Sequence, residues 1–393
     1  MKTKLTLLSN VTSIFNGKTP PKADQRLEGH PVLKIKDVSD DGLFKGVFQS
    51  FVEDVFVEKF KNKTIISGDT LILNAAHNSD YVGSKLYKAD HEVEGALATG
   101  EWTIVRSDKT VLDSKYLHYW FLNEKTRHAL RQIVKGIHLY PKDVGRLKIP
   151  LPPLEEQKRI AAILDKADSI RRKRKEAIAL TEELLRSTFF DMFGDKHHYP
   201  MMSIGQLCKV KGGKRLPKGH QLVSSNTGYP YIRAGNLKQG TVTGELLYLT
   251  EETYHAIKRY TINAEDVYIT IVGAYIGDVG IIPRYLSGAN LTENAAKIVI
   301  KQNIVTNYFL SHFLRSDLGQ RQIQSKIKTT GQPKFALFRI EEIQVPVPPI
   351  EVQIKFENIV KRIENIESII KFNKNNLDNL FNSLLQKAFR GEL

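Results

Sequence analysis

Cysteine is almost absent from these 393 residues. The one thiol, Cys208, excludes an internal disulfide framework and any zinc or iron–sulfur site built on several cysteines. Long apolar runs are absent too. The nearest, Val267 to Pro283, is broken by Gly273, Gly277, Asp278 and Gly280; it cannot serve as a membrane span and reads as paired buried strands. Met1 to Asn10 holds no apolar stretch for a secretory signal. Nucleotide-binding glycine patterns are missing, both G-x-x-x-x-G-K-[ST] and a Gly-x-Gly-x-x-Gly following a strand, and so is H-E-x-x-H. Pro20-Pro21, Pro152-Pro153 and Pro348-Pro349 are the Pro-Pro pairs, and none follows Asp or Asn, so the Asp/Asn-Pro-Pro-Phe/Tyr motif of base-amine methylation is not there. His197-His198 reads as a linker feature, and Glu155-Glu156 as a helix start. No catalytic constellation emerges. The expectation is a soluble, cytoplasmic, basic protein of two to three domains.

What is present in excess is positive charge. Lys and Arg number 58 against 43 Asp and Glu, a net +15. It is unevenly spread: +5 over 1–148, +1 over 149–198, +8 over 199–344 and +1 over 345–393. Two blocks are basic and two nearly balanced. A basic excess attracts polyanions, of which nucleic acid is the commonest in a cytoplasm.

The blocks follow a repeat. Ile149-Pro-Leu-Pro-Pro-Leu-Glu-Glu-Gln157 returns as Val345-Pro-Val-Pro-Pro-Ile-Glu-Val-Gln353, 196 residues later. The match continues through Ile163 and Ile359, Ile170 and Ile366, Leu184 and Leu380, and Phe193 and Phe389. Upstream, Gly17 falls opposite Gly213, Asp69 opposite Asp266, and Gly83 opposite Gly280. The period is that of a duplicated domain. Proline ends the strand before each motif and is tolerated in the first helical turn after it, where the glutamates meet the positive end of the helix dipole.

Each motif opens a long helix of about 37 residues, roughly 55 Å at 1.5 Å per residue. In the second, Ile359, Ile363, Ile366, Ile370, Asn373, Leu377, Leu380 and Leu384 alternate spacings of four and three, a heptad seam with one polar position. The same register in the first gives Ile163, Ala167, Ile170, Arg174, Ala177, Thr181 and Leu184. Pairing the two helices with each other, antiparallel and about a pseudo-twofold axis, is the simplest arrangement. Packing of each on its own domain and homodimerisation are the alternatives. Arg171-Arg-Lys-Arg-Lys175 faces solvent, DNA or a partner.

The blocks between the helices read as α+β. Short β-rich runs (Thr64–Ile66, Thr70–Leu73, Trp102–Val105, Tyr231–Arg233, Val267–Val272, Lys297–Ile300) precede helical stretches at Ser114–Val134 and Thr306–Lys326. Two basic glycine loops, Asn16-Gly-Lys-Thr-Pro-Pro-Lys22 and Lys209-Val-Lys-Gly-Gly-Lys-Arg-Leu-Pro-Lys-Gly219, suit backbone approach to phosphate. DNA-contact candidates in the first block are Lys18, Lys34, Lys36, Asn74, His77, Asn78 and Tyr81. In the second they are Lys211, Lys214, Arg215, Lys218, Arg233, Asn236, Lys238, Tyr275, Asn290, Lys328, Gln332 and Lys334. These types read guanine, adenine and phosphate.

The two Pro-Pro-x-Glu-x-Gln helix starts half a chain apart, with Gly212-Gly-Lys-Arg-Leu-Pro-Lys-Gly219 and Tyr231-Ile-Arg-Ala-Gly-Asn236, resemble the specificity subunits of type I restriction–modification systems over the whole chain. The resemblance implies two α+β target recognition domains, 1–148 and 199–344, each reading one half of a split duplex DNA target. The helices at 149–198 and 345–393 would be conserved spacers, paired as an antiparallel coiled coil, that rule the gap. It further implies docking of two modification subunits, which bind S-adenosylmethionine and methylate adenine at N6, and of restriction (motor–nuclease) subunits using ATP and Mg; this chain would hold no cofactor or metal and meet no membrane. The first block departs from the second in having Asn16-Gly17-Lys18-Thr19 opposite Gly212-Gly213-Lys214-Arg215. Two other readings compete: a coiled-coil scaffold with protein-binding domains, and an enzyme, such as a nuclease, with an unrecognised site.

Overall fold

The computed structural model describes residues 4–194, 198–238, 240–328 and 333–393, with the side chains of 371–376 set aside. The chain divides into two compact units: 1–175 with 371–393, and 176–370. The same plan is built twice.

In the first unit four antiparallel strands run in the order Thr12–Asn16, Trp102–Ser107, Thr70–Leu73, Leu86–Lys88. In the second the order is Cys208–Gly212, Ala295–Ile300, Val267–Thr270, Val279–Ile281. All four residues of each central strand, Thr70–Leu73 and Val267–Thr270, are buried, because both faces are covered. Ile72 and Val105 turn toward helices, while Leu71 and Ile104 turn toward a smaller sheet. Val267 and Ile269 face the helices of their unit, and Tyr268 the opposite cluster. In the smaller sheets His30–Leu33 runs parallel to Leu97–Ala98, and Pro230–Ile232 parallel to Ala289–Leu291. Cys208 packs as a small hydrophobe, its thiol pushed up to about 12 by burial. Among the described residues no helix is long and apolar enough to cross a membrane.

The helical stretches at 114–134 and 306–326 each break in two. Asn123 and Ser316 adopt extended backbone and cap a new helix, Asn123 Oδ1 accepting from the Lys125 N–H and Ser316 Oγ from the Gly319 N–H. Thr64 makes only an isolated bridge to Leu97, so the run Thr64–Ile66 is not a strand.

The long helices span Leu154–Phe193 and Ile350–Arg390. Their starts are fixed by one buried glutamine each. Gln157 Oε1 accepts from the Asp113 N–H at 2.9 Å, and its Nε2 donates to the carbonyls of Val111 at 2.9 Å and Pro152 at 2.8 Å. Gln353 does the same with the Thr306 N–H at 2.9 Å and the carbonyls of Ile304 at 2.9 Å and Pro348 at 2.8 Å. Asp113 and Thr306 are themselves the caps of the helices at Ser114–Leu122 and Asn307–Arg315. One side chain thus ties a long helix to its globular block.

Within the first unit, 154–175 run antiparallel to 371–393: Arg159 Nη2 donates to the Leu393 carbonyl at 2.9 Å, and Arg171 lies over the Phe381 ring at 4.7 Å. Within the second, 176–193 run antiparallel to 350–370: Thr181 Oγ1 donates to Glu367 Oε1 at 2.8 Å, and Phe189 and Phe193 each approach Phe356 with ring centroids 5.4 Å apart. The buried stripe differs from the heptad register read from sequence. Ile160, Leu164, Phe189 and Phe193 are buried in the first helix, and Phe356, Val360, Ile363, Phe381 and Leu385 in the second. Ile363 belongs to that stripe; Ile163, Ile359, Ile370, Leu377 and Leu384 are half-buried. Ile170, Leu184, Ile366 and Leu380 remain 41%, 53%, 50% and 51% exposed. In each unit the two helix segments face the globular block as well as each other, which rotates the inward side away from the seam drawn for a free coiled coil. The Asn373 side chain lies outside the described residues.

Replacing Gln353 by Leu leaves a buried N–H and two buried carbonyls without their partner, at about 1–3 kcal/mol for each orphan. Gln353→Leu is therefore expected to lower the stability of the second unit by about 3 kcal/mol or more and to strip hydrogen-exchange protection from 304–315 first. Gln157→Leu should do so at 111–122 instead. Protection unchanged in both variants contradicts the lock.

Candidate nucleic-acid interface

The candidates fall into an inward group and two exposed edges. Asn74, Asn236 and Asn290 are buried and belong to the fold, which corrects their reading as base contacts. Asn74 Nδ2 donates to the Gly100 carbonyl at 2.9 Å, Asn236 Nδ2 to the Thr243 carbonyl at 2.9 Å, and Asn290 Nδ2 to the Ile257 carbonyl at 2.9 Å. Asn236 also accepts from the Arg233 N–H at 3.2 Å; in the first unit Asp37 accepts from the Lys34 N–H at 2.8 Å. Lys34 and Arg233 thus hold one place in the repeat, each opening a short turn closed by the acceptor three residues on. Arg233 stays exposed, Lys34 is half-buried, and Lys36 is exposed beside them.

The first edge is the glycine loop. Gly17 donates to the Trp102 carbonyl at 2.9 Å and Gly213 to the Ala295 carbonyl at 3.0 Å. A Cβ at Gly17 would lie 2.3 Å from the carbonyl oxygens of Ala98 and Thr99, and one at Gly213 2.1 Å from that of Thr292. Gly17 and Gly213 are required by backbone crossing backbone, whatever their loops contact. Of the cations that follow them, Lys18 is half-buried and Lys214 exposed. Lys18 lies over Phe60 at 5.1 Å, and its counterpart Lys214 over Tyr260 at 5.5 Å. Arg215 is paired with Glu293 at 2.8 Å, so it is not a free cation. Lys211, Lys214 and Lys218 are exposed. Lys211 stands opposite Lys297 across the strand pair, and burial together with the Lys211 charge lowers the Lys297 pKa. Like charges facing across a ladder are unfavourable unless an anion meets them.

The second edge is the hairpin after each central strand. His77, Asn78 and Tyr81 are exposed there in the first unit, with Asn78 Oδ1 accepting from the Asp80 N–H at 3.0 Å. In the second unit Tyr275 occupies the hairpin, with Lys238 Nζ 5.6 Å from its ring centre. A second loop is fastened alongside each hairpin, by Ala75 bridging His138 and by Val272 bridging Lys334. Lys328 and Lys334 are exposed and bridge each other. Gln332 lies outside the described residues, as does His197. Turn geometry aligns Gly83 with Gly277, not Gly280: Gly83 (φ +74°) donates to the Leu73 carbonyl and Gly277 (φ +90°) to the Thr270 carbonyl. Tyr81-Val82-Gly83 then matches Tyr275-Ile276-Gly277, a correspondence the fixed offset concealed.

Three of the five cations in the basic stretch 171–175 are paired within the first unit. Asp168 receives Arg171 at 2.6 Å and Arg172 at 2.5 Å, and Lys175 pairs with Asp41, holding its carboxyl below the ordinary value. Burial pushes His118 and His312 down to about 3, so they are neutral packing groups rather than poised bases.

A family model, the type I restriction modification DNA specificity domain, matches twice, over residues 4–180 and 197–380. The chain belongs to this family. It is 23% identical over 405 residues to the type I restriction enzyme MjaVIII specificity subunit of Methanocaldococcus jannaschii, with 96% of this chain and 90% of the relative covered. It is 28% identical over 292 residues to the EcoBI specificity subunit of Escherichia coli, covering 65% and 60%. The crystal structure of the type I system S subunit from M. genitalium superposes with a TM-score of 0.64 at 16% identity, covering 98% and 96% of the two chains. These relatives are specificity subunits by name, in keeping with the DNA specificity domain that the family model describes.

Lys211, Lys214 and Lys218 give this edge a measurable signature. Their combined replacement by Ala is expected to weaken DNA binding evenly across sequences. The log–log salt slope should fall by about 0.9 for each phosphate no longer neutralised. A changed sequence preference with an unchanged slope contradicts the assignment of these lysines to phosphate.

Proposed function

We propose that this DNA specificity subunit reads a split, asymmetric duplex target, one half with each unit, in the cytoplasm. The observation that carries the proposal is duplication without identity. The two units share strand order and the glutamine lock, yet at matching edges one offers Lys18, His77 and Asn78 and the other Lys214, Lys238 and Lys334. Two different readers joined by long helices specify two different half-sites at a fixed gap. Duplex DNA in vivo, two modification subunits holding S-adenosylmethionine and methylating adenine at N6, and restriction subunits using ATP and Mg complete the assembly in this reading.

The outward stripe of the helices supports docking in duplicate. Ile163, Ile170 and Leu380 in the first unit recur as Ile359, Ile366 and Leu184 in the second. In the first unit Ile163, Ala167, Ile170, Leu377 and Leu380 line one apolar groove. Exposed apolar rows of this kind call for a partner. An apolar helix face of one modification subunit fits this groove, and a second copy the matching row of the second unit.

The test of the reading is to express the chain with its modification subunit in cells free of other adenine methylation and to map the modified bases. A single bipartite motif with a fixed gap is expected. Methylation with no shared motif, or none at all, overturns it and favours a protein scaffold. For docking, Ile170→Asp with Leu380→Asp should remove one of two modification subunits in native mass spectrometry, and Ile366→Asp with Leu184→Asp the other. Retention of both by both variants excludes these grooves.

A further inference from the structure

We infer that Tyr81 and Tyr275 are the base-contacting residues of the two units, each pressing its ring against base edges of its own half-site; this rests on the split-target reading. Six aromatic side chains are exposed among the described residues: Tyr81, Tyr140, Phe190, Tyr275, Tyr285 and Phe338. Only Tyr81 and Tyr275 occupy equivalent places, two residues before the positive-φ glycine that closes the hairpin. The sequences leading into them differ, Asn78-Ser79-Asp80 against Val272-Gly273-Ala274. The ring is kept where the loop around it is not.

The rings are presented, not packed. Tyr81 is 62% and Tyr275 45% exposed. Their backbone is fixed from several sides. Ser84 Oγ donates to the Tyr81 carbonyl at 2.6 Å, and Tyr81 N–H to the Asn78 carbonyl at 3.1 Å. Asp278 N–H donates to the Tyr275 carbonyl at 3.0 Å, and Gln320 Nε2 to the Gly277 carbonyl at 3.1 Å. The neighbouring loops are tied down as well, through Leu139 N–H to the Asn74 carbonyl and Phe335 N–H to the Ile271 carbonyl. A ring with two rotatable bonds on such a turn loses little entropy on binding and offers an apolar face with a polar tip. Hydrogen-bonding groups stand beside it, His77 and Asn78 in one unit and Lys238 in the other. An aromatic face suits a thymine methyl or a base edge, while the flanking cation and amide suit phosphate and adjacent bases.

The experiment uses the full chain with its modification subunit and maps methylated motifs for Tyr81→Ala, Tyr275→Ala and the corresponding Phe variants. Each Ala variant is expected to relax discrimination at a base position in one half-site by roughly tenfold to a hundredfold, the scale of one base pair left unread. The other half-site and the gap should stay as they were, and the two variants should affect opposite halves. The Phe variants should keep most of the discrimination. An unaltered motif in both Ala variants, relaxation of both halves by either one, or an even loss of methylation without relaxation overturns the inference. If the unaltered chain itself yields no split motif, it is the parent reading that has failed.

Discussion

A single buried amide at the start of each long helix sets the terms for the rest of the molecule. Gln157 and Gln353 have no exposed surface, and each makes three hydrogen bonds to backbone. A buried amide left unpaired is costly, so the geometry that pairs it is strongly specified. Two of the three bonds reach the segment that begins a helix of the globular block; the third closes on the proline turn before the long helix. The direction in which the long helix leaves its block follows. Pro152-Pro153 and Pro348-Pro349 prevent the preceding strand from running on, and the glutamine chooses the exit.

With the exit fixed, each helix segment has one face against the globular block of its unit, one against the other segment, and one left over. That is why an apolar pattern with many isoleucines is divided between two stripes. The inward stripe takes the aromatics, Phe189, Phe193, Phe356 and Phe381, whose large surfaces gain most from burial. The outward stripe keeps smaller aliphatic residues at matching places in both units. Asp168 shows the same division from the polar side: it is buried, but two arginines and their contact with the neighbouring helix satisfy it.

Much of this was legible in the sequence, for a definable reason. The repeated proline motif, the two long helices and the strands at 70–73, 102–107, 267–270 and 295–300 rest on local chemistry: proline stops, heptad spacing and β-branched runs. What escaped depends on which face a residue turns inward. Asn74, Asn236 and Asn290 look like adenine readers in sequence, yet each is buried and donates to a backbone carbonyl of its own unit. The helix breaks at Asn123 and Ser316 were available as capping residues inside apolar stretches. The tyrosine correspondence was hidden by hairpins of unequal length, which shift the offset from 197 to 194.

The separation of inward amides from outward rings bears on how such a chain can change its target. The hairpins are fixed mostly through backbone carbonyls and N–H groups and a glycine at positive φ, with the side chains of Asn78, Ser84 and Gln320 adding to them. The backbone bonds among these do not depend on what the exposed side chains are. The loops can therefore differ between the two units, as Asn78-Ser79-Asp80 differs from Val272-Gly273-Ala274, without disturbing the strands beneath. Specificity is a difference between affinities and is altered by exchanging a few surface groups. A frame held by backbone bonds and buried glutamines leaves those groups free to vary, and the duplication of the frame lets the two halves vary independently.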